Sequence, residues 1–265
     1  MRQFKVNDEL IIKIKKLIKD NDNEKLIMDL NEFHYADLAE IFELLEIKEV
    51  IFLVKIFDKQ RIADALAEID EDLRELILEN LSAKEIAEKI EELDTDDATD
   101  VISELPEEIQ ERVFSQIKDS ELTDDIKELL KYNENTAGGL MAKELVKVSE
   151  NLSIAKCIDE IRKQAKNVTR VHSIYVVDSK NRLIGRLSLK DVVTANSKSK
   201  VKDIFIPKVD YVTADQEGED VAKIMSKYDL EAIPVTNKRK TLLGRITIDD
   251  IVDLIKDEAE KDYQL

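Results

Sequence analysis

The stretch IYVVDSKNRLIGRLSLKDVV (Ile174–Val193) recurs as IPVTNKRKTLLGRITIDDIV (Ile233–Val252), without a gap and about 59 residues further on. Each copy reads as a strand, a polar turn, a second strand containing glycine, and then Ser or Thr followed by Asp at the start of an amphipathic helix. A further helix is predicted ahead of each copy, at about 152–164 and 217–227. The repeat therefore predicts two α/β units of one type in the second half of the chain.

The first half of the chain has a helical period instead. A loose motif returns every 24–27 residues or so, as in Ile62-Ala63-Asp64 and Ile86-Ala87-Glu88. This spacing predicts short antiparallel helix pairs that stack as a right-handed superhelix. Ten helices are predicted, at about 8–19, 22–31, 35–45, 48–55, 60–68, 71–79, 83–91, 96–104, 107–118 and 121–131.

The predicted organisation is a multidomain α and α/β chain. Gly138-Gly139 is the only glycine pair in the sequence and indicates a boundary or hinge. We expect four segments: an acidic all-α superhelical domain at 1–131, a Gly-containing linker at 132–142, the first α/β repeat at 143–200, and the second repeat with the start of a connecting helix at 201–262.

Charge and composition exclude several classes of protein. Residues 1–131 contain 18 Lys/Arg and 37 Asp/Glu, so the net charge of −18 lies in this half. An acidic surface argues against nucleic acid as a partner and suits a cation or a basic protein surface, although it also suits a plainly solvated helical domain. A single cysteine excludes a disulfide framework and indicates a reducing, cytoplasmic compartment. No apolar run approaches the ~20 residues that span a bilayer, so we expect a soluble chain.

Paired carboxylates are the strongest candidates for a metal site. Asp96 and Asp100 are four residues apart on a predicted helix and project from one face, which suits Mg²⁺, a hard cation that needs only one or two carboxylates besides water. Asp64 has the same phase in an earlier repeat. The alternative is that Asp94 or Thr95 caps the helix and that the following acids complement its dipole.

A second acidic run follows Thr247 on the last predicted helix. Asp250, Asp253, Glu258 and Asp262 belong to this run, in which acids recur at i,i+4 spacing that weakens a bare helix unless a counterion binds. The alternative is a solvated acidic helix end. No catalytic set is visible, because His34, His172 and Cys157 are scattered and Cys157 has apolar neighbours. We therefore do not expect an enzyme.

The repeats resemble CBS (cystathionine β-synthase) domains, and the order of segments resembles the cytoplasmic part of the MgtE family of magnesium transporters. The motifs that carry the resemblance are LDTDDATDVISELPEE (93–108), NTAGGLM (135–141), YVVD (175–178) and TIDDIVDLIKDEAEKD (247–262). Two features depart from the family pattern. Asn237 replaces the Asp178 of the first copy, and Arg186 and Arg245 stand where an apolar residue is more common.

The resemblance implies a magnesium sensor that regulates a transporter. Mg²⁺ would bridge acidic faces of the helical and CBS domains, compact a homodimer that pairs through its CBS domains, and close a membrane pore domain that is absent from this chain. The expected location is the cytoplasmic side of a bacterial inner membrane. The candidate metal ligands are Asp64, Asp96, Asp100, Glu219, Asp229, Asp250, Asp253, Glu258 and Asp262, of which Glu219 and Asp229 rest on the resemblance alone.

The first CBS copy also resembles sites for adenosine nucleotides. In the pattern Gly-x-x-Ser-x-x-Asp, Ser188 would lie near a phosphate and Asp191 would bind the ribose of ATP or a related nucleotide. The same residues form a plain capping box, and the second copy repeats the pattern from Gly244 to Asp250. The alternative function is therefore a nucleotide-sensing CBS regulator whose helical domain docks a protein partner.

Overall fold

The computed structural model describes residues 6–263, with side chains described as far as Lys256. The chain divides into two compact units. The first unit contains the chain up to Leu93 together with Asp97–Asp124. The second contains Asp94–Asp96 and the chain from Asp125 onward.

The ten predicted helices of the first half are confirmed within the described residues, with ends that shift by a few residues. They are α1 (Asp8–Asp20), α2 (Asn23–Leu30), α3 (Tyr35–Glu43), α4 (Ile47–Ile56), α5 (Lys59–Glu68), α6 (Glu71–Glu79), α7 (Ala83–Ile90), α8 (Thr95–Ser103), α9 (Glu107–Phe114) and α10 (Ser120–Leu129).

In the first unit several helices pack on the next but one: α3 contacts α5, α5 contacts α7, α7 contacts α9, and α4 contacts α6. The contacts use the recurring motif: Ile62, Ala63, Ile86 and Ala87 are all at most 2% exposed. An alanine beside a branched residue lets neighbouring helices approach closely. Most of these helices are eight to ten residues long and would be marginal alone, so packing stabilises them.

The side chains of Arg61 and Arg74 link separate helices of the first unit. The Arg61 guanidinium donates to the carbonyl oxygens of Leu30 and Asn31 at the end of α2. The Arg74 guanidinium forms a bidentate ion pair with Glu104, with Nε–O distances of 2.9 and 3.0 Å. The Arg74 and Glu104 side chains are both nearly buried, so removing either one would leave the charge of the other uncompensated.

The second unit contains the two α/β repeats, each built on a three-stranded sheet. The first repeat consists of β1 (Val146–Ser149), α11 (Ile154–Gln164), β2 (Ile174–Val177), β3 (Leu183–Leu187) and α12 (Leu189–Thr194). The second consists of β4 (Val212–Thr213), α13 (Gly218–Lys227), β5 (Ala232–Thr236), β6 (Leu242–Thr247) and α14 (Ile248–Tyr263). In each sheet the first strand is parallel to the second, and the second is antiparallel to the third. The expected fold, a helical region followed by a CBS pair, is confirmed.

Each repeat covers the outer strand of the other. Ile206, which leads into the second repeat, exchanges two backbone hydrogen bonds of 2.9 and 3.0 Å with Arg186 on β3. Ala142, which leads into the first repeat, exchanges two of 2.8 and 2.9 Å with Arg245 on β6. The segments that enter the repeats thus extend both sheets reciprocally.

The glycine in each copy of the repeat makes this crossing possible. A Cβ atom on Gly185 would lie 2.5 Å from the carbonyl oxygen of Ile206, and one on Gly244 would lie 2.5 Å from that of Ala142. Neither backbone could stay in place beside a larger residue. The repeated glycine is therefore a requirement of close backbone approach rather than of turn geometry.

The two hairpin turns also interlock. Leu183 N donates to Lys240 O at 2.8 Å, and Leu242 N donates to Asn181 O at 3.0 Å. Asn181 and Lys240 hold the left-handed conformation, with φ of 57° and 62°. This geometry is ordinary for Asn and uncommon for Lys.

The stretch expected to be a linker, 132–142, differs from that expectation. Ala137 and Met141 are fully buried in the core of the second repeat. The backbone N–H groups of Ala137 and Gly138 donate to carbonyls of Gln216 and Ala214 at 2.8 and 2.9 Å. The main segment of the second unit also begins at Asp125 rather than after 131. Among the described helices, none is both long and apolar enough to cross a membrane.

Candidate functional site

Asp250 occupies the first turn of α14, directly behind β6. Its Oδ2 accepts hydrogen bonds of 2.8 Å from both the backbone N–H and the hydroxyl of Thr247. Burial raises the pKa of this carboxyl from its usual 3.8 to about 6; the bonds from Thr247 oppose the rise, and the charge of Asp249 adds to it. Asp250 is thus a capping residue whose negative charge is costly where it lies.

Arg245 lies near the carboxyl groups of Asp94 and Asp250 and the backbone carbonyl of Glu144. It is 7% exposed, and its Nε donates to the carbonyl oxygen of Glu144. Its Nη2 lies 3.9 Å from Oδ2 of Asp94, and its positive charge lowers the pKa of Asp250. Arg245 was noted above as a departure from the family pattern. Among the described side chains, it is the guanidinium of this cluster.

Glu144 contacts Thr95, the first residue of α8. Thr95 belongs to the second unit, whereas α8 from Asp97 onward belongs to the first. The backbone N–H of Thr95 lies 3.2 Å from both carboxylate oxygens of Glu144, and the Thr95 hydroxyl donates to Oε2 at 2.8 Å. Lys143 N in turn donates to that hydroxyl at 2.7 Å. Burial raises the pKa of Glu144; the bonds from Thr95 oppose the rise, and the Asp94 carboxylate adds to it. Sequence reasoning missed Glu144, because a capping acid 49 residues away leaves no local signal.

The helical candidates lie on two helices of the described chain, with Asp96 and Asp100 four residues apart on α8. Asp96 is partly buried and belongs to the second unit, whereas Asp64 and exposed Asp100 belong to the first. Asp64 lies on α5, where its Oδ1 accepts a 2.9 Å hydrogen bond from Gln60 Nε2. Burial raises the pKa of Asp64, and the bond from Gln60 opposes that rise.

The other acidic candidates of the second repeat with described side chains, Glu219, Asp229 and Asp253, are exposed. Glu219 pairs with Lys223 at 3.4 Å, and Asp253 pairs with Lys256 at 2.7 Å. Asp229 ends α13 in the left-handed conformation, with φ of 51°. Glu258 and Asp262 lie on the part of α14 beyond the described side chains. Up to Lys256, no group of three Asp, Glu, His or Cys side chains is placed to hold a metal ion.

Ser188 and Asp191 form the capping box of α12. Ser188 N and Oγ donate to Asp191 Oδ2 at 2.9 and 2.6 Å, and Asp191 N donates to Ser188 Oγ at 3.0 Å. The hydroxyl bond lowers the pKa of Asp191, with the backbone bond second. The box matches that of Thr247 and Asp250, yet the pKa moves the other way, because Asp250 is the more deeply buried of the two carboxyls.

His34 and Cys157 have structural roles. His34 caps α3, since its Nδ1 accepts from Ala36 N at 3.3 Å. His172 Nδ1 lies 3.5 Å from Glu231 Oε2. Cys157 is fully buried on α11, and burial raises the pKa of its thiol to about 11. A thiol of this kind is a poor nucleophile at neutral pH.

Comparison with known proteins gives matches along most of the chain. Residues 33–135 match the MgtE intracellular N domain, and residues 137–198 and 201–257 match the CBS domain. The magnesium transporter MgtE of Thermus thermophilus is 37% identical over 134 residues, which are 51% of this chain and 30% of that protein. The chain thus spans only about a third of the length of such curated relatives. Matches to inosine-5'-monophosphate dehydrogenases, such as that of Methanocaldococcus jannaschii, cover 36% of this chain and only its CBS domains.

Two solved structures superpose on nearly all of the chain. One, described as the soluble part of a magnesium transporter, has a TM-score of 0.83 at 29% identity and covers 95% of this chain and 99% of its own. The other, the cytosolic domain of the Mg²⁺ channel MgtE in complex with ATP, has a TM-score of 0.86 at 30% identity and covers 92% and 99%. The chain therefore belongs to the MgtE family and corresponds to its cytosolic domain, an intracellular N domain followed by a CBS pair.

Proposed function

We propose that this chain is the magnesium-sensing regulatory part of a magnesium transporter. The observation that carries the proposal is the cluster around Arg245, in which the carboxyl groups of Asp94 and Asp250 share one buried guanidinium and the Glu144 carboxyl lies under the influence of Asp94. Negative charge predominates in this cluster, since the Asp94 charge adds to the raised pKa of Glu144 and the Asp249 charge adds to that of Asp250. Two like charges 4 Å apart cost about 4 kcal/mol at an effective dielectric of 20.

A divalent cation would relieve this imbalance. Mg²⁺ prefers oxygen ligands, keeps several of its waters, and needs only one or two carboxylates, so three protein ligands in one place are not required. Asp250 and the acids at the start of α8, Asp94 and Asp96, have the right chemistry to hold it. The bonds from Thr247 use only Oδ2 of Asp250, and Oδ1 is the oxygen that we assign to the ion.

Regulation would follow from a shift between two states. Without Mg²⁺, carboxylates of the N domain, including Asp100 and Asp64, repel those of the CBS pair and favour an open form. Bound Mg²⁺ favours a compact form, by no more than the difference between its affinities for the two forms. Compaction would move α14, which leads toward the pore domain of the full transporter, and would close the pore when magnesium is sufficient.

Small-angle scattering during a magnesium titration at constant ionic strength tests this proposal. We expect the radius of gyration of the wild-type dimer to fall with Mg²⁺ and not with Na⁺. The variant Asp96→Asn with Asp100→Asn should need at least about tenfold more Mg²⁺ for the same change, because two charge-assisted contacts are weakened.

A matched control distinguishes loss of the proposed ion ligands from a general loss of negative charge. Glu75→Gln with Glu79→Gln removes the same two charges at the same i,i+4 spacing from an exposed face of α6. This control should titrate like the wild-type chain. Equal behaviour of the two double variants would refute the placement of the ion at the start of α8.

A nucleotide-sensing role is the second candidate, favoured by the solved relative that is described as a complex with ATP. We place an adenosine nucleotide at the start of α12, where Ser188 and Asp191 retain lone pairs beyond those used in the capping box. Calorimetric titration with ATP would decide: binding that Asp191→Ala abolishes supports this site. If ATP without Mg²⁺ reproduced the compaction, the regulatory ligand would be the nucleotide rather than the ion.

We also propose that two chains pair through their CBS repeats. Ile248, Val252 and Ile255 follow one face of α14 and are 40%, 44% and 52% exposed, and Val193 on α12 is 77% exposed. Beside α14 lies a largely apolar groove of about 370 Å³, which α13 lines with Ala222 and Met225. An apolar helix face of this kind is typical of a protein interface.

A further inference from the structure

A cleft at the hairpin turns of the second unit is lined by both apolar and cationic side chains. Its volume is about 380 Å³. Leu183, Ile184, Pro207 and Val209 give it an apolar lining, with the ring of Tyr211 beside them. Three cationic side chains and one carboxylate complete the lining, namely Arg182, Arg239, Lys240 and Asp178.

The carboxylate already has a partner. Asp178 Oδ2 accepts from Arg182 Nη2 at 2.6 Å and from Arg182 Nε at 2.7 Å, and its Oδ1 accepts from the backbone N–H of Arg182 at 3.0 Å. The backbone bond, and after it the side-chain bonds, keep the pKa of Asp178 at about 2. Arg239 and Lys240 are left as the positive groups of the cleft. Lys240 Nζ lies 5.2 Å from the centre of the Tyr211 ring, so a cation and an aromatic face adjoin in one place.

The two copies of the repeat differ in net charge at this turn, since DSKNR (178–182) carries +1 and NKRKT (237–241) carries +3. Where the first copy has Asp178, Lys180 and Asn181, the second has Asn237, Arg239 and Lys240. The second turn thus loses a negative charge and gains a positive one. On a chain with a net charge of −18, a local excess of cations around a partly apolar cleft is a distinct feature.

The backbone that carries these cations is fixed. Asn237 Oδ1 accepts from Arg239 N at 2.9 Å and from Thr241 N at 3.0 Å, and Lys240 O accepts from Leu183 N at 2.8 Å. Cations on a fixed backbone lose less entropy when they bind a ligand than cations on a free loop.

We propose that this cleft is a site for a phosphate-bearing anion. Arg239 and Lys240 would bind the phosphate oxygens, and Tyr211 with the apolar lining would pack against the rest of the ligand. The site lies at the turn end of β3, whereas Ser188 follows the other end of the strand. It is therefore separate from the proposed nucleotide site, and the inference does not depend on the proposed magnesium response.

Calorimetric titration with inorganic triphosphate in metal-free buffer tests the site. The variant Arg239→Gln with Lys240→Asn removes both cations, and Asn is the residue that holds the same left-handed conformation at position 181 of the first copy. We expect this variant to bind triphosphate at least about tenfold more weakly than wild type, since two charge-assisted hydrogen bonds are lost.

Two controls fix the location of the site. Lys180→Gln with Lys198→Gln removes two exposed cations from the first repeat and leaves the lining of the cleft intact. Asp191→Ala disables the proposed nucleotide site. Both variants should bind triphosphate within about twofold of wild type. Loss of triphosphate binding in Asp191→Ala would overturn the proposal, because the anion would then occupy the nucleotide site.

The phosphate could come from a soluble ligand or from a lipid headgroup. Sedimentation with phosphatidylglycerol vesicles, and with phosphatidylcholine vesicles as the neutral comparison, separates these two sources. Binding to the anionic vesicles alone that disappears in Arg239→Gln with Lys240→Asn assigns the site to a headgroup. Absence of both triphosphate and vesicle binding, or binding that this variant retains, would overturn the proposal.

Discussion

Asp191 and Asp250 show how little of a residue's chemistry is contained in its motif. Each closes the same capping box at the same position of its repeat. The pKa of Asp191 is lowered by the Ser188 hydroxyl, whereas burial raises the pKa of Asp250 to about 6. The Asp250 carboxylate is therefore ionised at neutral pH although burial disfavours its charge. A bound cation would stabilise that charge.

The charge of Asp250 should make folding stability depend on pH. Its pKa in the folded chain, about 6, lies above its usual 3.8, so the folded state binds the proton more tightly. The stability that protonation contributes is complete below pH 3.8 and is lost as the pH rises through 6. In metal-free buffer we therefore expect Asp250→Asn, which keeps an acceptor for Thr247, to exceed wild type in stability at pH 7.5 by up to about 2 kcal/mol.

Urea denaturation at pH 7.5 and pH 5 measures this difference. The advantage of Asp250→Asn should shrink at the lower pH, because the wild-type carboxyl is then largely protonated. Asp253→Asn, which alters an exposed acid on the same helix, should show no such trend. An advantage that is equal at both pH values would contradict the assignment of the raised pKa to Asp250.

Sequence reasoning reached part of the candidate site and missed the rest for a physical reason. The boxes at Ser188–Asp191 and Thr247–Asp250 follow from i,i+3 spacing, so the sequence alone predicts them. The grouping of Glu144, Thr95 and Arg245 depends on which distant segments meet, and no local period records it. Whether any of these acids binds magnesium remains a prediction.

At the scale of elements, local signals were sufficient for the helices. Capping residues and apolar spacing predict the ten short helices to within a few residues, because both act inside a single turn. For Gly138 and Gly139, the glycine pair itself predicted a boundary or hinge, and the structure instead places the pair against packed residues. A glycine pair indicates freedom of the chain, but here it lets Tyr132 and Asn133 pack directly against the backbone.

The glycine pair yields a prediction about stability. A Cβ atom on Gly139 would lie 2.3 Å from the backbone oxygen of Asn133, which cannot move without disturbing the turn. We expect Gly139→Ala to lower the free energy of unfolding by about 2 kcal/mol or more, as overpacking does. Thermal and urea denaturation would measure the loss.

Gly218→Ala is the matched comparison. Its nearest contacts are the ends of the flexible Leu254 and Leu140 side chains, at 2.7 and 2.9 Å, and Gly218 opens a helix that alanine favours. Its loss of stability should be clearly smaller. Equal losses at the two glycines would show that the close contact at Gly139 is relieved by movement of the turn.

At the scale of the whole molecule, the exposed apolar face of α14 leads to a prediction about assembly. Val252→Asp places a charge in the middle of that face, where Val252 is 44% exposed in the single chain. The single chain should fold as before, whereas the dimer should dissociate at least about tenfold more readily. Sedimentation across a range of protein concentrations gives the dissociation constant.

Leu76→Asp provides the reference for this substitution. Leu76 is 49% exposed on α6 of the first unit, so the change in charge and apolar area is similar. Its dimer should match that of wild type. A dimer that Val252→Asp leaves intact, or a wild-type chain that remains monomeric, would contradict pairing through α14.

The reciprocal crossing of Ile206 and Ala142 bears on aggregation. A sheet that ends in an open strand invites pairing with another chain, and proteins protect such edges. Here β3 is closed by the segment that enters the second repeat, and β6 by the segment that enters the first. A single repeat cut from its partner would lose this cover and expose a bare edge. Protection from misassembly is thus a reason, independent of any ligand, for these repeats to occur as a pair.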